Sequence, residues 1–295
     1  MRSLPGPVGP LVASLCVLGL ASACAADPGG PPEESAGGTA LASSSMPTDS
    51  SSGESARVAV GTESPQPARG DVEVVRTIAH DPTLFTQGLE VVGDQLYEST
   101  GRYGYSQVQR RAIEDTEPSA WVPMASDEFG EGLTVTPDTL WTLTWRKGVA
   151  HDRDPQTLEV RDEVPYEGEG WGLCHDGDRL VMSDGSDTLT FRDPATFDPT
   201  GTVDVTAGGT PVPQLNELEC VGGEILANVW MTDEIIRIDP DSGAVTAIYD
   251  ASGLEQPRPA DPDAVLNGIA ALPESDTVLL TGKLWPQMYE VRLVG

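Results

Sequence analysis

The sequence predicts an all-β chain whose main body is a five-bladed β-propeller with four-stranded blades. The first observation is a repeat. Gln87-Gly88-Leu89, Glu131-Gly132-Leu133, Trp171-Gly172-Leu173, Glu217-Leu218-Glu219 and Asn267-Gly268-Ile269 can be laid on one another. Their register residues, 88, 132, 172, 218 and 268, are 44, 40, 46 and 50 apart. The second is that each segment leads into a Gly/Asp/Pro turn and then an apolar strand, such as Leu96-Tyr97, Leu140-Trp141, Leu180-Val181, Ile225-Leu226 or Val278-Leu279. The third is that no long window places apolar residues at helical spacing. A period of about 45 with short strands is the size of one propeller blade.

Taken in order, the chain begins with a leader. Residues 1–23 are apolar after Arg2, end in Ala21-Ser22-Ala23 and precede Cys24. This reads as a signal peptide. It resembles a bacterial lipoprotein cleavage site, in which Cys24 becomes lipidated, although Ala21 stands where such sites usually carry Leu. Plain cleavage near Ala23 or Ala26 is the other reading. Residues 25–70 are Pro, Gly, Ser and acid rich, and read as a disordered tether. The expected protein is thus exported, either secreted or periplasmic, or held at the membrane by a lipid.

Five units of about 45 fill the 225 residues from Asp71 to Gly295. Within them, Glu234–Asp239 and Ala244–Ile248 form an expected hairpin about Asp241-Ser242-Gly243, and Thr188–Arg192 with Gly201–Val205 form another. Closure of the ring is expected between Glu73–Arg76 and Tyr289–Arg292.

The formal charge is −30, from 47 acids against 17 bases, which argues against a nucleic-acid partner. The acids are expected mostly in loops, as in Asp152-Arg153-Asp154 and Asp261-Pro262-Asp263, where they favour solubility and draw in a cationic N-terminus. Only Lys147 and Lys283 are lysines. Three histidines and two cysteines beyond the leader make a zinc cluster a poor reading. Export permits a Cys174–Cys220 disulfide. The splay of neighbouring inner strands instead favours two free thiols.

In a propeller the start of each first strand and the end of each second strand meet at one face. The starts carry Gln87, Glu131, Trp171, Asn216-Glu217 and Asn267. The ends carry Gly101, Trp145, Gly185, Trp230 and Lys283. Taken alone, the tryptophans and Glu131 are as well explained by packing or a solvated surface, and Asn216 and Asn267 by hydrogen bonds to backbone in turns, whereas a lysine retained at 283 in so lysine-poor a chain is harder to call incidental. Together they ring one mouth of the channel with aromatic walls and a few polar groups, the make-up of a small-ligand site.

The same residues carry a resemblance. Phe85-Thr86-Gln87-Gly88-Leu89, Phe129-Gly130-Glu131-Gly132, Leu143-Thr144-Trp145, Gly168-Glu169-Gly170-Trp171-Gly172, Leu215-Asn216-Glu217-Leu218-Glu219, Asn228-Val229-Trp230, Leu266-Asn267-Gly268-Ile269 and Thr281-Gly282-Lys283-Leu284-Trp285-Pro286 resemble the plant and bacterial glutaminyl-peptide cyclotransferases. The match runs from about His80 to Leu293. It implies a five-bladed propeller, likewise reached from the repeat. It implies conversion of N-terminal glutamine to pyroglutamate with release of ammonia. It implies Glu131 as the general acid/base, and Phe85, Gln87, Phe129, Trp145, Trp171, Asn216, Trp230 and Lys283 around the substrate. Arg146-Lys147 depart from the family pattern after Trp145, and neither is given a role.

That chemistry suits these residues. Holding the side chain curled for an intramolecular attack is worth roughly 7–11 kcal/mol in favourable cases. One carboxylate can serve as base and then acid, and tryptophan walls should raise its pKa. Asn216 and Gln87 can bind the substrate amide or amine, and Lys283 can stabilise an oxyanion or hold a carbonyl. Catalysis needs no cofactor on this reading, while a structural calcium in the channel is compatible with it, and a monomer is expected. Two rival readings remain: a calcium-dependent propeller hydrolase or lactonase using Glu131, Asn216, Glu217 and Asn267, and a non-catalytic peptide-binding surface lipoprotein.

Overall fold

The computed structural model describes residues 64–254 and 261–295. The leader, Cys24 and nearly all of the 25–70 tether lie outside the described residues. Among the described residues there are twenty-two strands, in chain order. They are β1 (Ala68–Ala79), β2 (Thr86–Val92), β3 (Gln95–Thr100), β4 (Gln107–Ala112), β5 (Ala120–Pro123), β6 (Gly130–Val135), β7 (Leu140–Thr144), β8 (Val149–Arg153) and β9 (Val160–Pro165). Next come β10 (Leu173–His175), β11 (Leu180–Met182), β12 (Thr188–Arg192), β13 (Pro199–Asp204), β14 (Thr206–Ala207) and β15 (Thr210–Pro211). The last are β16 (Leu215–Val221), β17 (Glu224–Val229), β18 (Glu234–Ile238), β19 (Val245–Asp250), β20 (Leu266–Ala271), β21 (Thr277–Gly282) and β22 (Gln287–Val294). No helix occurs among the described residues, and both expected hairpins are present, β12–β13 and β18–β19.

The strands form antiparallel four-stranded sheets, β2-β3-β4-β5, β6-β7-β8-β9 and β10-β11-β12-β13, with a small β14–β15 ribbon. An eight-stranded sheet runs β16-β17-β18-β19-β1-β22-β21-β20. The expected closure pairing is there: Glu73 faces Arg292 and Val74 faces Val291 on antiparallel strands. The sequence did not show that the start of β1 also pairs in parallel with β19, Ala68 with Ala247 through Asp71 with Asp250. One strand therefore joins two four-stranded units, and it begins three residues before the expected boundary at Asp71.

The five strands β2, β6, β10, β16 and β20 pack each on the next, and β20 packs back on β2. The apolar core has the same cyclic form, with clusters that each draw on two successive units. Tyr97 and Val108 meet Leu133 and Leu140. Trp141 and Leu143 meet Leu173 and Leu180. Val181 and Leu189 meet Leu218, Ile225 and Ile236. Leu226 and Ile235 meet Leu266, Ile269 and Leu280. Ile78, Leu279 and Met288 meet Leu89 and Leu96. Each fully buried leucine contributes about 1.5–3 kcal/mol by leaving water.

Some acids have structural work in turns. The carboxylates of Asp154, Asp193 and Asp239 each accept the backbone N–H groups two and three residues on, at 2.7–3.0 Å. These bonds hold all three carboxyls below the usual range. The expectation of a loop at Asp152-Arg153 is corrected. Both residues close β8, where Asp152 pairs with Trp141, and Arg153 is buried with its guanidinium donating to Thr142 Oγ1 and Leu158 O.

The expectation of free thiols is corrected as well. Cys174 and Cys220 form a disulfide, with their Cα atoms 5.4 Å apart. The splay is not yet large at their level. Two residues before Cys174, a Cβ on Gly172 would stand 2.0 Å from Asn216 O, so β10 and β16 run backbone against backbone there.

Candidate active site

A cavity of about 620 Å³ opens where the starts of the first strands meet the ends of the second strands. Backbone bonds fix that meeting. Gly101 N donates to Phe85 O, Trp145 N to Phe129 O, Trp230 N to Gln214 O and Lys283 N to Val265 O, all at 2.8–2.9 Å. Residues just before each first strand are thereby tied to residues just after each second strand. All nine residues expected at the site line this cavity: Glu131, Lys283 and Asn216, with Phe85, Gln87, Phe129, Trp145, Trp171 and Trp230.

Local backbone explains why those side chains turn inward. The pairing register slips between Thr86 and Gly88, Gly130 and Leu133, Leu215 and Leu218, and Leu266 and Ile269. The slips coincide with Gln87, Glu131, Asn216 and Asn267, and such bulges re-aim side chains. Glycine then permits the close approach. A Cβ on Gly88 would lie 2.5 Å from Leu133 N, and one on Gly132 2.6 Å from Trp171 O. The gain is direct contact, as in the 2.7 Å bond from Gly132 N to Trp171 O. The glycine of the repeated motif is thus a close-packing requirement.

The aromatic lining falls into two groups. Phe129 meets Phe85, Tyr103 and Trp145 at centroid separations of 6.2, 5.5 and 5.5 Å. Trp171 and Trp230 meet edge to face at 5.6 Å. Between these walls, Glu131 is 4% and Lys283 5% exposed. Burial pushes the Glu131 carboxyl well above the usual range; Lys283 opposes that shift and Glu169 adds to it, while a hydrogen bond from Gln87 favours the ionised form. Burial lowers the Lys283 ammonium, against the pull of Glu131 and Asp263. Its Nζ stands 5.2 Å from the Phe85 ring centre. Asn216 Oδ1 is buried without a partner among the described residues, leaving an acceptor at the cavity wall.

Two rim expectations change. Asn267 does not line the cavity; its amide donates to Thr86 O at 3.0 Å and to Gln87 O at 3.4 Å, steadying Gln87 from behind. Glu217 does not line the cavity either; it reaches across the inner strands and accepts the N–H groups of Leu89 and Ile269. Beside it Glu219 accepts from Ala271 N and Glu90 from Val135 N. These acids are engaged by backbone amides. Among the described residues no three His, Cys, Asp or Glu side chains are grouped to hold a metal ion.

The cavity also holds Arg102, Asp261 and Asp263, to which sequence reasoning gave no place in the site. Arg102 pairs with Asp261 and lays its guanidinium over Phe85, 4.5 Å from the ring centre, from a backbone at φ 101°. Glu169 was missed too: its Oε2 accepts the indole N–H of Trp145 at 2.7 Å and of Trp171 at 3.1 Å. Its position two residues before Trp171 was the available signal.

Comparison with known proteins agrees with this geometry. The sequence profile of the glutamine cyclotransferase family matches residues 42–293. A curated glutaminyl-peptide cyclotransferase from Arabidopsis thaliana is 38% identical over 231 residues, covering 76% of this chain and 71% of the relative. The crystal structure of a Myxococcus xanthus glutaminyl cyclase superposes with a TM-score of 0.74 at 38% identity, covering 78% of this chain and 99% of that one. With the match spanning most of the chain, this protein belongs to the glutamine cyclotransferase family.

Proposed function

We propose that this chain converts the N-terminal glutamine of peptides or proteins to pyroglutamate and releases ammonia. The observation that carries the reading is the burial of Glu131 and Lys283 together between the aromatic walls of one cavity. The α-amine attacks the γ-carboxamide carbon, so that a C–N bond forms and a five-membered ring closes. Glu131 takes a proton from the amine and returns it to the departing nitrogen. The C–NH₂ bond then breaks and ammonia leaves. The raised Glu131 carboxyl suits both roles near neutral pH. Lys283 stabilises the oxyanion, Asn216 Oδ1 and Gln87 bind the amine or amide, and Trp145, Trp171, Trp230, Phe85 and Phe129 hold the side chain curled and dry.

The finer architecture belongs to the same proposal: a five-bladed β-propeller in which the eight-stranded sheet counts as two blades. The cyclic packing of five inner strands and five core clusters supports it. We also propose an exported monomer, carried by the leader and either lipidated at Cys24 or secreted. The Cys174–Cys220 bond suits an oxidising compartment, and the cavity is complete within one chain.

The test is ammonia release from a Gln-initiated dipeptide, with product mass lower by one ammonia. Peptide binding without ammonia release would establish the binding-protein reading instead.

A further inference from the structure

The two aromatic groups of the cavity make no ring contact with each other. Phe85, Phe129, Tyr103 and Trp145 form one, and Trp171 with Trp230 the other. Glu169 Oε2 bridges them, accepting both indole N–H groups. The other oxygen, Oε1, accepts Arg146 Nε at 2.8 Å. The Arg146 guanidinium lies over the Trp145 ring, 3.8 Å from its centre, so that the acid and the ring it holds share one clamp. Glu169 reaches this place from the segment between β9 and β10, where Gly170 N donates to Trp145 O at 3.0 Å. Backbone and side chain thus tie the same two walls.

We propose that Glu169 is a positioning residue of the site, fixing the spacing and tilt of Trp145 and Trp171 so that the substrate side chain is held curled between them. It acts through the tryptophans and takes no part in proton transfer. This rests on the proposed cyclisation. An indole N–H in an apolar wall needs an acceptor. Without Glu169 both indoles turn toward solvent or water enters between them, and the cavity loses its shape before it loses its chemistry.

A second consequence separates anchoring from charge. The groups acting on Glu131 are Lys283 from beyond β21, Glu169 from before β10, Gln87 on β2, and Tyr166 after β9, whose hydroxyl donates to Thr144 O. Of these, Glu169 is the negative neighbour. Glu169→Gln keeps an acceptor oxygen for the indoles and removes the charge. Glu169→Ala removes both.

The experiment compares wild type, Glu169→Gln and Glu169→Ala by steady-state kinetics across pH and by indole N–H resonances of the ¹⁵N-labelled proteins. Glu169→Ala should raise KM for a Gln-initiated peptide roughly tenfold, the order expected for losing hydrogen bonds to a charged acceptor. Glu169→Gln should restore KM to near wild type while moving the acid limb of the pH profile to lower pH. The Trp145 and Trp171 resonances should move in Glu169→Ala, while that of Trp141, whose indole donates to Pro194 O, should stay. Unmoved Trp145 and Trp171 resonances overturn the proposal whether or not the enzyme turns over. Equal KM in Glu169→Ala and wild type overturns it too, as do equal defects in the two variants, which would assign the effect to charge. A silent wild type with moved resonances sinks the cyclisation reading and leaves the anchor standing.

Discussion

Glu131 on β6 and Lys283 just beyond the end of β21 are about 150 residues apart in sequence and face each other as opposite charges inside the cavity, at 4% and 5% exposure. Neither has solvent to fall back on. The carboxyl is driven up and the ammonium down by the same loss of water, and each partly restores the charge of the other. A carboxyl raised by burial beside a buried ammonium suits the proposed one-carboxylate cyclisation.

Replacing Lys283 with Met should therefore act twice. Loss of the oxyanion contact should lower kcat by roughly 10²–10³. Loss of the cation should also push the Glu131 carboxyl further up, moving the acid limb of the pH–rate profile to higher pH. Steady-state kinetics over pH checks both. An unshifted limb would separate the two residues functionally.

The disulfide should stabilise without serving catalysis. Its closed loop spans 46 residues, for which chain entropy gives about 4 kcal/mol. Cys174→Ser with Cys220→Ser should lower Tm by several degrees while ammonia release by the folded protein remains near wild type. Denaturation followed alongside activity tests this, and a loss of activity at full folding would contradict it.

The buried acids of the inner strands, Glu90, Glu217 and Glu219, make stability depend on pH in a direction unlike that of the turn aspartates. Burial raises Glu90 to about 7 and Glu217 and Glu219 well above the ordinary 4.5. For a raised carboxyl, stability is fully present below the unfolded value and is lost as pH rises through the folded one. The Glu90 contribution should therefore fade between about 4.5 and about 7, and those of Glu217 and Glu219 should fade as pH rises from about 4.5 toward their own raised values. Tm at about pH 5 should exceed Tm at about pH 8.5. Glu219 acts on Glu217 and is itself acted on by Glu90. Glu219→Gln should accordingly flatten the decline. A Tm that rises over the same range would refute this account.

Chelation gives a clean separation from the hydrolase reading. Turnover should be unaffected by EDTA, because every proposed step uses a side chain of this chain. Complete loss with EDTA, restored by a divalent ion, would overturn the metal-free mechanism.

The repeat was legible because each first strand must pass the next within backbone contact. That requirement leaves glycine at 88, 132 and 172, and a Cβ would collide there. The nine site residues were legible because the repeat places unlike side chains at equivalent positions and the family motifs name them. Glu169 and Arg102 were not, since a partly exposed acid and an arginine in a loop look like ordinary surface until their partners are known. Asn267 was misread for the opposite reason: its register matched the rim, but its amide is spent on the backbone of Thr86 and Gln87. The pairing of β1 with both β19 and β22 likewise has no local signature, because it depends on where the chain ends meet. The disulfide was masked by an argument about strand splay that holds farther from the channel than Cys174 and Cys220 lie.

The most direct test of the central claim is ammonia released from a Gln-initiated dipeptide by the wild-type chain and by Glu131→Gln. Steady release by the wild type is expected, with a loss of about 10²–10⁴ in the variant at unchanged thermal stability. A variant that keeps more than about a tenth of the wild-type rate would show that Glu131 is not the proton shuttle.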